Sequence, residues 1–113
     1  SRLREYSFGK YEGQKSSSWR WADQPGFDDI TKHVEDGESA VDVSRRVASF
    51  INDALIRFAP DDKVLIVTHG GPMRIVISLI KRIPLTEVWE KYEIPNTKII
   101  ELKIDGQVPS QLK

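Results

Sequence analysis

The chain contains no cysteine, which excludes disulfides, thiol catalysis and cysteine-ligated metal sites. It also has no excess charge, because 17 Lys and Arg residues balance 17 Asp and Glu residues. This balance gives no electrostatic reason to expect nucleic acid or an anionic membrane as a partner. The apolar runs are far shorter than the ~18 residues of a membrane span, and residues 1–10 lack the apolar core of a signal peptide. A cytoplasmic protein is the default expectation.

What the sequence does contain is typical of one small soluble domain. The 113 residues are 39% hydrophobic and 30% charged, as in an ordinary globular protein. Residues 1–13 predict a loop with a short turn, and residues 14–36 predict a polar surface segment with short helical pieces. The first residue is Ser and not Met, so we expect a processed product or a piece of a longer protein.

Two helices can be predicted from the spacing of apolar residues. Between Val43 and Phe58 they recur every three or four positions, which predicts an amphipathic helix. Ser39 is its expected N-cap, and Asp42 falls in the first turn, where the helix dipole favours a carboxylate. Helical spacing returns after the Gly-Gly-Pro triplet at residues 70–72 and predicts a second helix. A turn and a further short helix are expected in residues 82–92.

Two strands are predicted from different patterns. Residues 64–68 form a continuous run rich in β-branched side chains, typical of a strand buried on both faces in a parallel sheet. Residues 97–105 alternate apolar and polar side chains, which predicts a final strand. The order of helix, buried strand, helix and strand favours an α/β domain.

His69 is the first candidate for a functional residue. It directly follows the predicted strand 64–68, and ligands of α/β proteins gather at the carboxyl ends of strands. Gly70 and Gly71 allow a close approach of the backbone, and Pro72 suits the start of a helix. The free N–H groups of that helix favour an anion, most commonly phosphate. A helix-capping or packing histidine is the alternative.

The other charged residues carry little information by themselves. Glu5, taken alone, is typical of a solvated carboxylate, and His33 of a solvated histidine. Three arginines could contact phosphate, although each alone is typical of a surface cation: Arg2, Arg4 and Arg74. Arg45 and Arg46 lie within the first predicted helix and are expected to form helix-face or loop salt bridges. Two distant histidines without cysteine make no case for a metal site.

Three blocks of sequence, taken in order, carry a resemblance to a known family. "LREYSFGKYEG", "DGESAVDVSRRVASF" and "VLIVTHGGPMR" resemble the histidine phosphatase superfamily, and "PNTKIIEL" at residues 95–102 is similar to its usual last strand. This is the family of cofactor-dependent phosphoglycerate mutases, fructose-2,6-bisphosphatases and α-ribazole phosphatases. The resemblance implies a three-layer α/β/α sandwich around a mostly parallel sheet. It also implies phosphoryl transfer through a phosphohistidine, without a metal or a cofactor in this chain.

The resemblance also assigns roles to individual residues. Glu5 matches the acidic residue that protonates the leaving oxygen, and His69 matches the second active-site histidine, which binds the phosphoryl group. Gly70 matches the position whose backbone N–H faces the phosphate, and Arg4 is a further candidate for phosphate binding. Six positions match parts of the motifs that we interpret as structural: Gly9, Glu12, Gly13, Gly37, Glu38 and Arg46.

One essential motif of the family is absent from this sequence. The nucleophile is a histidine within Arg-His-Gly, and the chain contains no such triplet. We therefore expect residues 1–113 to be the C-terminal part of a single domain, whose N-terminal segment is a separate chain or was removed. Without that segment, residues 64–68 would expose apolar side chains and unpaired backbone groups.

Several functions remain open at this point. The leading hypothesis is a phosphomonoester hydrolase that is inactive as this chain alone. The short connection between Gly13 and Gly37 favours a phosphatase of the α-ribazole or broad-specificity type over a phosphoglycerate mutase, an isomerase. The alternatives of another class are a non-catalytic binding or scaffold protein and an α/β domain with a chance motif. The expected partners are a phosphorylated small molecule, the Arg-His-Gly segment and, as an open alternative, a second copy of the chain, with no nucleic acid and no membrane.

Overall fold

A computed structural model describes residues 1–15 and 29–113 of the chain. Within these ranges it contains, in chain order, one 3-10 turn and three α-helices: Gly9–Tyr11, α1 (Ala40–Arg57), α2 (Gly70–Lys81) and α3 (Leu85–Lys91). No strand forms in the described ranges. The predicted three-layer α/β/α sandwich with a mostly parallel sheet is therefore wrong for this structure.

Both predicted strands lack regular secondary structure. No backbone–backbone hydrogen bond joins residues 64–68 to another segment of the described chain. The apolar side chains of residues 64–67 are 37–83% exposed, which also contradicts burial on both faces. A strand is stable only when its N–H and C=O groups pair with a neighbour, and β-branched side chains do not supply one. Residues 97–105 likewise form no β-strand pairing with another described segment.

The predicted first helix is confirmed together with its N-cap. The backbone N–H of Asp42 donates to Ser39 Oγ (3.1 Å), and the Ser39 N–H donates to the Asp42 carboxylate (2.9 Å), which forms a capping box. The Ser39 N–H and hydroxyl both donate to the Asp42 carboxylate at 2.9 Å, and these two hydrogen bonds hold the pKa of Asp42 below its usual value. Local cues therefore suffice to start α1 at Ala40.

The core lies between the three helices. α1 packs against α2, and α2 packs against α3. Its fully buried aliphatic side chains come from all three helices: Val43, Val47, Ile75, Ile77, Leu79 and Val88. α2 confirms the helix predicted after the Gly-Gly-Pro triplet, although it begins within the triplet at Gly70, and α3 confirms the short helix predicted within residues 82–92. None of the described helices is long and apolar enough to cross a bilayer.

The last residues of the chain lie against α1 and complete the core. The Asn52 side chain exchanges two hydrogen bonds with the backbone of Val108, at 3.1 Å and 2.8 Å. Ser44 Oγ accepts from the N–H of Leu112 (3.0 Å), and both Val108 and Leu112 are buried. Of the polar segment predicted at residues 14–36, residues 16–28 lie outside the described residues, and residues 29–36 contain no helix.

Candidate functional site

The N-terminal loop, residues 1–7, reaches the start of α2 and brings Glu5 close to it. Thr68 Oγ1 donates to the carbonyl oxygen of Leu3 at 2.6 Å. Glu5 Oε2 lies 3.4 Å from the backbone nitrogen of Gly71, and Glu5 Oε1 accepts from the Tyr6 N–H at 2.9 Å. In the sequence, His69 lies between Thr68 and Gly71, the two residues that contact the N-terminal loop. The structure thus brings the two predicted catalytic residues to the same end of α2.

His69 precedes α2 as its N-cap residue but does not cap it with its side chain. Its backbone is extended (φ −113°, ψ 166°), and its ring makes no capping hydrogen bond. The carbonyl oxygen accepts from the Met73 N–H at 2.9 Å, as expected at a helix start. The residue is exposed. These observations argue against the capping or packing alternative and leave the imidazole at the surface, beside the helix N-terminus.

Glycine is needed at residue 71 for the close approach of Glu5 and Tyr6. A Cβ atom placed on Gly71 would overlap Glu5 Oε1 and lie 2.7 Å from two carbon atoms of the Tyr6 ring. A Cβ atom placed on Gly70 would meet only the end of the Arg74 side chain, at 3.3 Å. The two neighbouring glycines therefore differ: only residue 71 sets the distance between the N-terminal loop and α2.

This difference predicts unequal effects of two alanine substitutions on stability. We expect Gly71→Ala to lower the free energy of unfolding by about 1–3 kcal/mol, the usual cost of overpacking. Gly70→Ala introduces no comparable overlap, and alanine is the better helix former, so it should leave stability unchanged or slightly raised. Urea unfolding of both variants measures the difference. Equal stability of the two variants would contradict the close packing at Gly71.

Tyr6 lies buried behind Glu5. Its ring stacks on Phe8, with the ring centroids 6.1 Å apart and the planes inclined by 8°. Burial, and then the negative charge of Glu5, raise the pKa of the Tyr6 phenol far above its usual value. The phenol therefore stays protonated, and Tyr6 serves as an apolar support for the loop that carries Glu5.

Arg74 is less exposed than a typical surface cation and lies on the same end of α2. Its guanidinium lies 3.8 Å from the centroid of the Trp89 ring, and Nη1 donates to the Gly70 carbonyl oxygen at 3.3 Å. Its Nε is buried and has no hydrogen-bond partner within the described residues. Burial lowers the pKa of Arg74, while the charge of Glu5 opposes that shift. The contacts with Trp89 and Gly70 hold this cation at the end of α2 where Glu5 lies.

Arg4 contacts its own loop and Glu38, which lies two residues before α1. Arg4 Nη1 donates to the carbonyl oxygen of Ser1 at 2.7 Å, and Nη2 lies 3.6 Å from the Glu38 carboxylate. Its side chain is 56% exposed. The prediction that Arg4 binds phosphate remains a prediction, because the side chain can leave these surface contacts at little cost.

The arrangement supplies some of the groups that phosphoryl transfer needs. Glu5 can exchange a proton, the imidazole of His69 can donate to an oxyanion, and the N–H groups that start α2 favour a negative charge. The remaining histidine, His33, has Nδ1 2.9 Å from the Val34 carbonyl oxygen, before the start of α1. Within the described ranges, no three His, Cys, Asp or Glu side chains group as metal ligands.

Comparison with known proteins agrees with the resemblance seen in the motifs. The family described as "Histidine phosphatase superfamily (branch 1)" matches residues 1–113. A relative from Hydrogenobacter thermophilus, named "Putative phosphoserine phosphatase 2", is 32% identical over 111 residues. The match covers 94% of this chain and 53% of the relative, so the chain spans about half the length of that curated protein. No solved structure matches the chain.

Proposed function

Because the chain belongs to the histidine phosphatase superfamily, we propose that it forms part of a phosphomonoester hydrolase whose nucleophile is supplied by an Arg-His-Gly segment. The family and the phosphatase name of the relative support phosphatase-type function. The observation that carries the finer proposal is the position of Glu5, whose carboxylate lies at the helix start that follows His69. An acid and an oxyanion donor are thereby combined at a helix N-terminus.

In the proposed reaction the nucleophilic histidine attacks phosphorus and the bond from phosphorus to the ester oxygen breaks. Glu5 donates its proton to that leaving oxygen, which departs as an alcohol. His69 and the N–H groups that start α2 stabilise the charge on the phosphoryl oxygens. Glu5, now ionised, then takes a proton from the water that cleaves the phosphohistidine. The products are an alcohol and inorganic phosphate.

The exposed apolar run, residues 64–67, supports the proposal of a further segment. Val64, Leu65 and Val67 are 49%, 80% and 83% exposed, although they directly precede the proposed site. A contiguous apolar surface of this kind is typical of an interface. We propose that the Arg-His-Gly segment contacts this run and thereby places its histidine near His69. The same contact would remove apolar side chains from water.

The proposal is tested by asking which polypeptide the activity follows. The folded protein is purified from the organism that makes it, and each fraction is assayed with phosphoserine and with p-nitrophenyl phosphate. Intact-mass spectrometry under denaturing conditions identifies every polypeptide in each fraction. Hydrolysis should follow a species that contains Arg-His-Gly, and fractions with only the 113-residue chain should be inactive. Hydrolysis by a monomeric 113-residue species would show that the proposed nucleophile is wrong.

A further inference from the structure

Arg46, on α1, directs its whole guanidinium at the N-terminal loop and at Glu38. Nε donates to Glu38 Oε2 at 2.9 Å, and Nη2 donates to Glu38 Oε1 at 3.0 Å. Nη1 donates to the carbonyl oxygens of Arg2 and Arg4, both at 2.8 Å, and Nη2 also donates to the carbonyl oxygen of Glu5 at 3.0 Å. The side chain is only 11% exposed. All three guanidinium nitrogens are therefore used inside the protein.

Glu38 binds the same N-terminal loop at Ser7, two residues after Glu5. Its Oε1 accepts from the Ser7 N–H at 2.9 Å, and its own N–H donates to the Ser7 carbonyl oxygen at 2.8 Å. Burial raises the pKa of Glu38, but hydrogen bonds from Arg46 and Ser7 outweigh this effect and hold it below its usual value. The carboxylate is therefore ionised at neutral pH and pairs with Arg46 as a bidentate ion pair.

The backbone that Arg46 and Glu38 hold is the one that orients the Glu5 carboxylate. Residues 1–7 form no helix or strand, so their position depends on these contacts and on packing. The Glu5 carboxylate accepts from the N–H of Tyr6. On either side of this N–H, Arg46 binds the carbonyl oxygen of Glu5 and Glu38 binds the N–H of Ser7. A shift of this backbone would move the carboxylate relative to Gly71 and the start of α2.

We propose that Arg46 and Glu38 act as a positioning pair, which fixes the Glu5 carboxylate beside the N-terminus of α2. The inference rests on the proposed function for the role of Glu5 as a proton donor. The position of the Glu5 carboxylate and the hydrogen bonds of the pair do not depend on that function. Neither residue of the pair touches the substrate. Because the backbone that the pair holds carries Glu5, its loss should affect the proton donation to the leaving oxygen more than the binding of the phosphoryl group.

The geometric part is tested on the 113-residue chain with Arg46→Lys, and Arg45→Lys serves as the matched control. Lysine keeps the charge at residue 46 but cannot reproduce the planar set of donors. Arg45 lies next to Arg46 but is 60% exposed, and its contacts with the described residues are at the surface, with Gln111 (2.8 Å) and Asp42 (3.6 Å). The measurement is amide hydrogen exchange of Tyr6 and Ser7, with α1 as the internal reference.

We expect Arg46→Lys to speed exchange at Tyr6 and Ser7 about tenfold to a hundredfold, the effect of losing hydrogen bonds to a charged group. Exchange within α1 and the behaviour of Arg45→Lys should match the unmodified chain. Exchange at Tyr6 and Ser7 within twofold of the unmodified chain would overturn the proposal. If Arg46→Lys fails to fold, Glu38→Gln replaces it, since this variant removes the ion pair without changing the side-chain size.

The functional part is tested in the active fraction described above, by the ratio of kcat/KM for phosphoserine and for p-nitrophenyl phosphate. Arg46→Lys should lower the value for phosphoserine, a poor leaving group, by a larger factor than the value for p-nitrophenyl phosphate. Equal loss for both substrates would show a general structural role and overturn the positioning role. If the unmodified protein hydrolyses neither substrate, the proposed function fails, while the exchange experiment still decides the geometry.

Discussion

We expect His69→Ala to lower kcat/KM of the active fraction about 10²–10³-fold, the loss that follows when one preorganised donor to a developing oxyanion is removed. The reason is that the imidazole lies at the start of α2, where its hydrogen bond adds to those of the backbone N–H groups. His33→Ala is the matched control, since His33 is also exposed and its Nδ1 lies 2.9 Å from the carbonyl oxygen of the next residue, Val34, away from the start of α2. Its kcat/KM should stay within twofold of the unmodified protein.

Stability separates this role from the packing alternative. A packing or capping histidine would lower the free energy of unfolding when removed, by about 0.5–2 kcal/mol for a cap. The His69 ring makes no capping hydrogen bond, so we expect His69→Ala to unfold at nearly the same urea concentration as the unmodified chain. A loss of stability together with an unchanged rate would contradict the proposed role and support the packing alternative.

The helices could be predicted from the sequence because their signals are local. Ser39 and Asp42 are three residues apart and cap α1 reciprocally, and the apolar spacing that follows marks its buried face. α2 begins at Gly70, at the Gly-Gly-Pro triplet and not after it, because both glycines adopt helical backbone conformations. In each case the residues that determine the element lie within a few positions of it.

The strands could not be predicted in the same way, because a strand depends on a partner that its own residues do not specify. The β-branched run 64–67 indicates a preference for extended backbone but contains no information on which segment would pair with it. The described residues supply no such segment, and the run is exposed. The wrong fold class thus follows from treating side-chain preference as if it determined pairing, and from transferring to this chain the sandwich that the family resemblance implies.

In the candidate site, too, only the residues with local signals could be predicted from the sequence. The sequence singled out His69 because the glycines and proline that mark a helix start are adjacent to it. Glu5 could be identified only through the family resemblance, since nothing in its neighbourhood distinguishes it from a solvated carboxylate. The orientation of Arg46 toward the N-terminal loop, and the position of Trp89 under Arg74, depend on how helices and loops pack. No spacing in the sequence indicates either of them.

The proposed role of Glu5 predicts an effect that depends on the leaving group. Glu5→Gln removes the proton donor while keeping the size and the acceptor oxygen of the side chain. We expect kcat/KM for phosphoserine to fall about 10²–10⁴-fold, the usual contribution of general acid catalysis. An alkoxide is a poor leaving group and needs the proton in the transition state, whereas p-nitrophenolate leaves readily without it. For p-nitrophenyl phosphate we therefore expect a loss of about tenfold or less.

The comparison is made with kcat/KM because this parameter reports the first phosphoryl transfer, before water cleaves the phosphohistidine. Because Glu5 also activates that water in the proposed reaction, Glu5→Gln lowers kcat for both substrates to the same slow second step, and the unequal kcat/KM values remain. Glu35→Gln is the matched control, since Glu35 is 73% exposed and pairs only loosely with Lys10, at 3.9 Å. Its kinetics should match those of the unmodified protein. An equal fall in kcat/KM for phosphoserine and p-nitrophenyl phosphate in Glu5→Gln would rule out proton donation, and the position of the carboxylate at the start of α2 would then need another explanation.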